Sequence, residues 1–376
     1  MLPSYFVSTF ISLLYLCFIK HKKKDMRIYF YHMIPVKSYH ADWKANKVPG
    51  HLLYGMTHLP RHGMTCIYDT PSFNPYQHKW KLMFFNLWKA LIRMRSYDAV
   101  YAVTHTGLEL VIFLRALGLF RKPIVLWHHS AVIHPKGRIR RWGSKLFYKG
   151  IDRMLFFSDY LLNESLKTGK VRKEQAFMVH WGADLDFYNR LMERRKASDH
   201  FISTGRENRD FVTLIRAFNR LDAPCDIYTT RFGGRVNDYE LLLRKEIGRI
   251  NPNIHFHIVQ ATHLEMAEKA NNAYAVLVCC LNFPYTIGLT SLVEAFALGL
   301  PVITTDNKTF PFDVEKEQIG LKVPYGDVNG WVKAIRYLTD HREVAQALGR
   351  NGRKFAENNY NLDICSQEVA QVLLTL

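Results

Sequence analysis

The sequence predicts an α/β protein built from two doubly wound domains, each a parallel sheet covered by helices. Two observations lead to this prediction. Short β-rich apolar runs alternate with helical patterns, which is typical of parallel sheets wrapped by helices. This alternation stops at a charged stretch, residues 192–200, and then begins again. A crevice between two such sheets, at the carboxyl ends of their strands, is the expected ligand site.

The predicted elements follow in chain order. The first series of β-rich runs lies at 26–32, 64–68, 98–103, 123–127 and 153–157, and the second at 201–204, 225–229, 254–258, 274–279 and 301–304. The last fifty residues are helical by pattern, because Trp331, Ile335 and Leu338 fall on one face of one segment. We therefore predict a first Rossmann-like domain over 26–190 and a second over 191–376 that closes with helices.

Residues 1–25 form an apolar and basic leader with two interpretations. Residues 2–19 are nearly free of charge and are followed by four lysines between positions 20 and 24. This run is short for a membrane span, and a signal peptide would carry its positive charges before the apolar residues. The segment is either a short anchor with its basic end in the cytoplasm or translated upstream sequence. The β-rich run that begins at Met26 favours the second interpretation.

The amino-acid composition excludes several classes of protein. Of the 376 residues, 48% are hydrophobic and 22% are charged. These fractions exclude a disordered chain, a small disulfide scaffold and a fibrous repeat. The six cysteines are scattered and form no C-x-x-C pair, so they indicate neither a disulfide framework nor a zinc site. A reducing compartment is the expected location.

The net charge of +18 belongs to the first half of the chain. Residues 1–190 hold 29 Lys and Arg against 11 Asp and Glu, whereas residues 191–376 hold 22 of each. Such a basic half indicates a polyanionic partner, either a membrane surface or nucleic acid, or a phosphorylated substrate. No nucleic-acid motif accompanies the charge, so we expect no nucleic-acid partner.

Two basic segments of the first half also carry large apolar residues. Residues 79–95 include Trp80 and Trp88, and residues 136–149 carry six Lys and Arg beside Trp142. Either segment could lie in an anionic bilayer interface, with the bases outward and the aromatic rings inward. The apolar residues of 79–95 also suit the domain core, because helices that flank a parallel sheet need an apolar face. We expect peripheral contact with an anionic membrane surface.

A glycine and two arginines follow the first strand of the second domain. The strand ends at Thr204, Gly205, Arg206 and Arg209 come next, and Asp210 is placed to cap the following helix. Glycine lets the backbone approach a ligand, and arginine side chains donate forked hydrogen bonds to a diphosphate. Taken alone, both arginines could equally be solvated loop residues.

Another glycine loop precedes a short helix and a buried strand. Gly288, Leu289 and Thr290 lead into the helix, for which Thr290 or Ser291 is the predicted cap. The free N–H groups and the positive dipole end at a helix amino terminus bind anions such as phosphate. Glu294 lies in the first turns, where it could accept hydrogen bonds from sugar hydroxyls. Taken alone, it could equally be an exposed helical carboxylate.

Together these two segments resemble glycosyltransferase family 4, a group of retaining, metal-independent enzymes with the GT-B fold. The family shows Gly-Arg after a strand and a basic residue a few positions later, matched here by Gly205, Arg206 and Arg209. Its longer pattern Glu-Ala-(Met/Phe)-Ala-x-Gly-x-Pro-Val-Ile is matched by residues 294–303. Residues 180–188 are similar to the family's interdomain segment, so the resemblance covers about 150–376 well.

In the first domain the resemblance is looser. Residues 47–55 are similar to an early loop and helix of related transferases, and residues 123–130 resemble the strand that presents an active-site histidine. The resemblance implies that His129, and after it His128, lies near the donor sugar. Thr286 stands where the family often has a first glutamate that contacts this sugar, which leaves the identity of the sugar open.

The resemblance implies a GT-B fold in which two Rossmann-like domains face a central cleft. It implies retaining transfer of a sugar from a nucleoside-diphosphate sugar to a lipid-linked or cell-surface glycan, in the cytoplasm and on the inner face of the cytoplasmic membrane. No cofactor and no metal are expected. The implied catalytic residues are Arg206, Arg209, His129 and Glu294. The implied donor-binding residues are Gly205, Arg206, Arg209, Gly288, Leu289, Thr290 and Glu294.

Two other function classes stay open. A nucleotide-sugar epimerase or hydrolase related to GT-B enzymes would need acid and base carboxylates in the cleft, and the sequence has no paired carboxylates near the glycine loops. A non-catalytic glycan-binding relative would have lost donor binding. The joint presence of Arg206, Arg209 and Glu294 argues against that loss.

Overall fold

The computed structural model describes residues 25–205, 207–230 and 248–376. The first sheet contains β1 (Met26–Tyr31), β2 (Met64–Ile67), β3 (Ala99–Ala102), β4 (Ile124–His128), β5 (Arg153–Phe156) and β6 (Ala176–Met178). The second contains β7 (Phe201–Thr204), β8 (Cys225–Thr229), β9 (Ile254–Ile258), β10 (Ala275–Val278), β11 (Val302–Thr305) and β12 (Gly320–Val323). Of the predicted leader, residues 1–24 lie outside the described part of the chain.

Helices connect the strands of both sheets. Those of the first half are α1 (Val36–Lys44), α2 (Lys79–Ile92), α3 (Glu109–Ala116), α4 (Arg138–Lys149), α5 (Asp159–Leu166) and α6 (Leu185–Met192). Those of the second half are α7 (Phe211–Phe218), α8 (His263–Asn271), α9 (Leu289–Ala297), α10 (Val328–Asp340), α11 (Arg342–Asn358) and α12 (Leu362–Leu373). Short 3₁₀ helices lie at Gly50–Leu53, Leu59–His62 and Lys173–Gln175.

The first sheet has the strand order β2-β1-β3-β4-β5-β6, and all its pairs are parallel. Side chains such as those of Ile28, Val125 and Leu155 are fully buried, because helices cover both faces of a parallel sheet. The strands predicted for this half are confirmed. The sequence patterns miss only β6, a three-residue strand at the sheet edge.

The second sheet has the strand order β12-β11-β10-β7-β8-β9, again with parallel pairs. Its predicted strands are confirmed, and β12 is the one that the patterns miss. The order of strands reverses between β7 and β10. In open α/β sheets this switch point creates a crevice at the carboxyl ends of the strands, which is where the segment after Thr204 lies. The predicted α/β fold with two doubly wound sheets is therefore correct.

The closing helices join the two halves. Trp331, Ile335 and Leu338 of α10 are buried together against the second sheet, as predicted. The last helix, α12, returns to the first half, where the backbone of Ala183 bonds with Tyr360 and Leu362 on either side of the turn into α12. No helix in the described residues is both long and apolar enough to span a bilayer.

Candidate donor site

The loop after β7 depends on a glycine. Gly205 has a φ of +150°, and a Cβ atom placed there would lie 2.3 Å from Nε of Arg209. Only glycine therefore lets the arginine side chain fold back across the end of the strand. Asp210 accepts the N–H of Thr213 at 3.0 Å and caps α7, as predicted. Arg206, the other predicted arginine, lies outside the described residues.

Arg209 is buried rather than solvated, with 7% of its surface exposed. Its Nε donates to the carbonyl oxygen of Thr204 at 3.1 Å, and its Nη2 donates to Oγ of Ser291 at 3.2 Å. Among the described residues no carboxylate forms an ion pair with it. Burying a cation without a counter-charge is costly, so this arrangement favours a bound anion.

The second glycine loop presents the amino end of α9. Gly288, with a φ of +92°, immediately precedes the first residue of the helix, and a Cβ atom there would lie 2.4 Å from Cγ1 of Val278. The predicted cap by Thr290 or Ser291 is wrong, because both residues lie inside the helix and no side chain caps it. The first N–H groups of α9 therefore face the loop with the positive end of the helix dipole.

These two segments form one wall of a cavity of about 300 Å³. Gly205, Arg209, Thr290 and Glu294 line it, and these are predicted site residues. The Leu289 side chain is only 3% exposed, so this residue can offer a ligand little besides its backbone. The remaining lining residues are Thr204, Tyr228, Thr229, Thr230, Val259, Ala261, His263, Met266 and Ser291. We call this space the donor cavity.

Glu294 meets a histidine from the first half of the chain. Nε2 of His51 lies 3.4 Å from Oε1 of Glu294, and the His51 side chain is fully buried. The other ring nitrogen, Nδ1, accepts the backbone N–H of Asp184 at 3.2 Å. A neutral imidazole with an accepting Nδ1 carries its proton on Nε2. His51 therefore directs an N–H toward the Glu294 carboxylate.

His51 is itself held from several sides. The indole N–H of Trp181 donates to the backbone oxygen of His51 at 3.2 Å. The carboxylate of Asp184 accepts the backbone N–H of Gly50 at 2.7 Å. The Tyr188 ring lies nearly parallel to the imidazole, and burial, followed by the Glu294 charge, raises the pKa of Tyr188 well above its ordinary value. The interdomain segment thus fixes the loop that contacts Glu294.

The sequence does not reveal the role of His51. Its loop is included in the resemblance at 47–55, but no residue of that loop is predicted to reach the site. The sequence feature that relates to this role is the Trp-Gly-Ala-Asp segment at 181–184, whose side chains hold the loop of His51 in place.

His129 lies at the end of β4, opposite the glycine loops. The next residue, Ser130, pairs with Tyr285 across the cleft, and the Tyr285 hydroxyl accepts a hydrogen bond from Asn208 at 2.6 Å. Nε2 of His129 is 3.0 Å from the Tyr54 hydroxyl. Burial and the neighbouring His128 lower the pKa of His129 to about 4, so its ring is neutral near pH 7. His129 is not part of the donor-cavity wall.

His128, the second candidate, is occupied by structural contacts. Its Nδ1 donates to the carbonyl oxygen of Ser130 at 2.5 Å, and its Nε2 is 3.1 Å from the Tyr148 hydroxyl. Both ring nitrogens are therefore engaged. A third histidine, His32, follows β1, and burial lowers its pKa to about 3. The sequence patterns do not single it out.

Comparison with known protein families finds a match in the second half of the chain. Residues 199–341 match the model of the family described as Glycosyl transferases group 1. The chain is a glycosyltransferase. The matched region contains Gly205, Arg209 and Glu294, which are among the residues that line the donor cavity. No curated protein sequence matches this glycosyltransferase. Its narrower assignment to family 4 stays a prediction.

Solved structures share the fold of this glycosyltransferase over nearly its whole length. Anabaena HepE in complex with UDP has a TM-score of 0.65 at 15% identity and covers 94% of this chain and 100% of its own. Sucrose-phosphate synthase from Thermosynechococcus elongatus has a TM-score of 0.63 at 18% identity and covers 82% and 80%. WaaG, a glycosyltransferase involved in lipopolysaccharide biosynthesis, has a TM-score of 0.59 at 14% identity and covers 92% and 99%. These likenesses establish the two-domain GT-B fold.

Proposed function

We propose that this glycosyltransferase moves a sugar from a nucleoside-diphosphate sugar to a lipid-linked or cell-surface glycan with retention of anomeric configuration. The observation that carries the proposal is the buried Arg209 side chain, which has no carboxylate partner in the described residues and lies beside the uncapped start of α9. The two features together suit a diphosphate. HepE structures with UDP and with UDP-glucose support a nucleotide sugar as the donor.

The leaving diphosphate gains negative charge as the glycosidic bond to it breaks. Arg209 and the N–H groups of Leu289 and Thr290 would stabilise that charge, and Arg206 would assist. Removing one such donor typically raises a reaction barrier by about 3–4 kcal/mol. Because the guanidinium and the helix end supply positive charge, we propose transfer without a metal ion.

Glu294 would bind the ribose of the nucleotide. Its carboxylate lies on the cavity wall, and its side chain is 28% exposed. One oxygen faces His51, so a ribose hydroxyl can donate to the part of the carboxylate that remains accessible. His51 would act as a positioning residue, because it contacts the glutamate rather than the ligand.

The neutral ring of His129 suits a hydrogen bond to a hydroxyl of the donor sugar. Its Nε2 bond to Tyr54 leaves Nδ1 for such a contact. A retaining transferase of this kind needs no carboxylate nucleophile, in contrast to retaining hydrolases with two carboxylates. Glu294 is the one carboxylate among the described residues that line the donor cavity, which disfavours an epimerase or hydrolase.

Contact with an anionic membrane is part of the proposal, because the exposed apolar residues cluster on one side of the first half. On α2, Trp80 is 72% and Trp88 is 63% exposed. On α4, Ile139 is 86% and Trp142 is 70% exposed among several bases. Helix α3 packs against both α2 and α4, so all three lie side by side. Aromatic residues surrounded by bases suit the interface of an anionic bilayer.

The donor proposal is tested by ligand-induced stabilisation. We expect UDP or another nucleoside diphosphate, and its sugar conjugate, to raise the melting temperature of the purified full chain, because a ligand that binds only the folded state stabilises it. Arg209→Gln and Glu294→Gln should lose the shift, whereas Arg336→Gln, a change on the surface of α10, should keep it. Absence of a shift with UDP, GDP and ADP in the wild-type chain would support the non-catalytic alternative.

A further inference from the structure

Three histidines surround one carboxylate at the edge of the second sheet. His200 immediately precedes β7, Asp226 is the second residue of β8, and His255 pairs with Asp226 from β9. His257 follows two residues later, so it projects from the same face of β9 as His255. We call His200, Asp226, His255 and His257 the histidine cluster.

The distances in the cluster are short. Oδ2 of Asp226 is 2.8 Å from Nδ1 of His200, and Oδ1 is 2.9 Å from Nδ1 of His255. Nε2 of His257 lies 3.6 Å from Oδ1 of Asp226, which is beyond hydrogen-bond range. Hydrogen bonding to the carboxylate therefore positions the imidazoles of His200 and His255, whereas the imidazole of His257 lies next to the carboxylate without a hydrogen bond to it.

We propose that the histidine cluster binds a divalent transition-metal ion of the Zn²⁺ type. One donor atom each from His200, Asp226 and His255 lies within 4.8 Å of the other two. Zn²⁺ bonds of about 2.0–2.2 Å to nitrogen and oxygen in a tetrahedron place neighbouring donors about 3.4 Å apart. Small rotations of the imidazoles would open the present hydrogen-bonded spacing to that value. His257 lies outside this group of three, and its ring would have to turn toward the ion to supply a fourth donor.

The chemistry of the donor set points to the ion class. Imidazole nitrogen with one carboxylate suits zinc, copper, nickel and iron, whereas magnesium and calcium require mostly oxygen. The side chains are partly exposed, from 21% for Asp226 to 46% for His255, so an ion can enter from solvent. Because the ligands come from β8, β9 and the residue before β7, a bound ion would join these three parts of the sheet.

The proposed metal site differs from the donor cavity. Asp226 lies near the start of β8, whereas Thr229 at the end of β8 lines the cavity. The two places are linked through stacked rings, since His257 lies 4.5 Å from Tyr228, another residue of the cavity wall, with an angle of 11° between the planes. The proposal therefore adds a site outside the transfer step, for which no metal is expected.

The test is direct metal binding by the full chain, without a polyhistidine tag and after chelator treatment. Co²⁺ is titrated first, with its visible absorption as the readout, and Zn²⁺ is then added to displace it. We expect one ion per chain and an absorption spectrum typical of nitrogen and oxygen ligands at low coordination number. Losing a side chain that only holds a metal ligand in place already costs roughly 10–100-fold in metal affinity, so Asp226→Asn and His255→Gln should weaken binding by at least as much.

His341→Gln provides the matched control, because His341 is an exposed histidine of the same half, at the end of α10. It should bind the metal like the wild-type chain. Melting curves without metal show whether each variant is folded. If a variant does not fold, the cobalt spectrum of the wild-type chain alone shows whether the metal binds. Absence of stoichiometric binding in the wild-type chain, or unchanged affinity in both cluster variants, would overturn the proposal.

Discussion

At the residue scale, His51 links the two halves of the active cleft. It is fully buried, its Nδ1 accepts from the interdomain segment, and its Nε2 faces Glu294. At 3.4 Å and outside hydrogen-bond geometry, the contact between Nε2 and Oε1 of Glu294 is an electrostatic one. Loss of this contact leaves the glutamate free to adopt other rotamers, which would lower affinity for the ribose hydroxyls that we propose it binds.

We therefore predict that His51→Gln raises KM for the nucleotide sugar roughly tenfold, the equivalent of about 1.4 kcal/mol, with a smaller change in kcat. The measurement is a double-mutant cycle with Glu294→Gln. If the two residues act together, the double variant resembles Glu294→Gln alone. Independent, additive effects of the two substitutions would refute the positioning role.

The buried histidines of the first half make stability depend on pH. The pKa values of His32, His128 and His129 are lowered from 6.5 to about 3, 4 and 4, chiefly by burial. The unfolded chain therefore binds more protons than the folded chain between about pH 6.5 and pH 4. Stability is retained above pH 6.5 and falls as the pH is lowered through this window.

For each of these histidines, the free energy of unfolding should fall by up to about 1.4 kcal/mol per pH unit inside the window. Urea unfolding at pH 7.0, 5.5 and 4.5 measures the slope. His129→Gln keeps a partner for the Tyr54 hydroxyl and should flatten the slope, whereas the exposed control His341→Gln should leave it unchanged. An equal slope in wild type and His129→Gln would contradict the assignment.

At the element scale, the strands were predictable because their sequences are short β-rich apolar runs, several of which are buried at every position. Val100, Leu126 and Val276 belong to such runs, which contrast with the helices around them. β6 and β12 escape prediction for a physical reason. Each lies at a sheet edge and lacks a continuous buried apolar run, because β6 has three partly buried residues and β12 has one buried residue on each side of the partly buried Leu321 and Lys322.

The starts of two helices show where local patterns succeed and fail. Asp210 caps α7 as expected, because aspartate supplies its own acceptor for the first N–H groups. At α9 the sequence favours a Thr290 or Ser291 cap, but the chain turns at Gly288 and both residues enter the helix. The local pattern does not contain the close contact with Val278 that makes the glycine necessary.

Helix α2 has buried and exposed apolar residues that bear on the two interpretations of residues 79–95. Leu82 and Met83 are buried against the first half, whereas Trp80, Phe84 and Trp88 are exposed. The helix therefore has one apolar face for the core and further apolar residues outside it. The exposed tryptophans do not pack in the core, and this supports the proposal of membrane contact.

We predict that Trp88→Ser and Trp142→Ser each weaken binding to vesicles rich in phosphatidylglycerol. Full burial of a large apolar side chain contributes about 1.5–3 kcal/mol, so each change should cost at least roughly tenfold in partitioning. Sedimentation with vesicles measures the bound fraction, and neutral phosphatidylcholine vesicles should bind much less. Tyr337→Ser, an exposed aromatic residue of α10 in the neutral half, is the control. Equal partitioning of all variants would exclude these helices as the membrane-binding surface.

At the scale of the whole molecule, the site depends on contacts between distant parts of the chain. Sequence patterns identify Gly205, Arg209 and Glu294 because each belongs to a local motif. They cannot identify the contact between His51 and Glu294, because no local pattern relates residues that come together only after both halves have folded. The same holds for Ser130 and Tyr285, whose pairing brings the end of β4 beside the glycine loop.

Helix α12 also takes part in long-range contacts, which connect the end of the chain to the first half. The backbone N–H and Nδ1 of His180 both contact the Glu368 carboxylate, each at 2.7 Å. Arg153 also bonds to Thr375 beyond the helix. The carboxylate of Glu368 raises the pKa of His180 above 6.5, so this ion pair is present when the imidazole is protonated.

Glu368→Gln should therefore destabilise the protein more at pH 6 than at pH 8.5. A raised histidine pKa contributes stability that is complete below the unfolded value of 6.5 and is lost as the pH rises through the folded value. The two side chains are partly exposed, which limits the effect to about 1 kcal/mol. Thermal melting at the two pH values measures it. Glu357→Gln, which breaks an ion pair with Arg353 that contains no histidine, should show no such pH dependence. An equal loss of stability at both pH values would mean that Glu368 holds α12 through its bond to the His180 backbone alone.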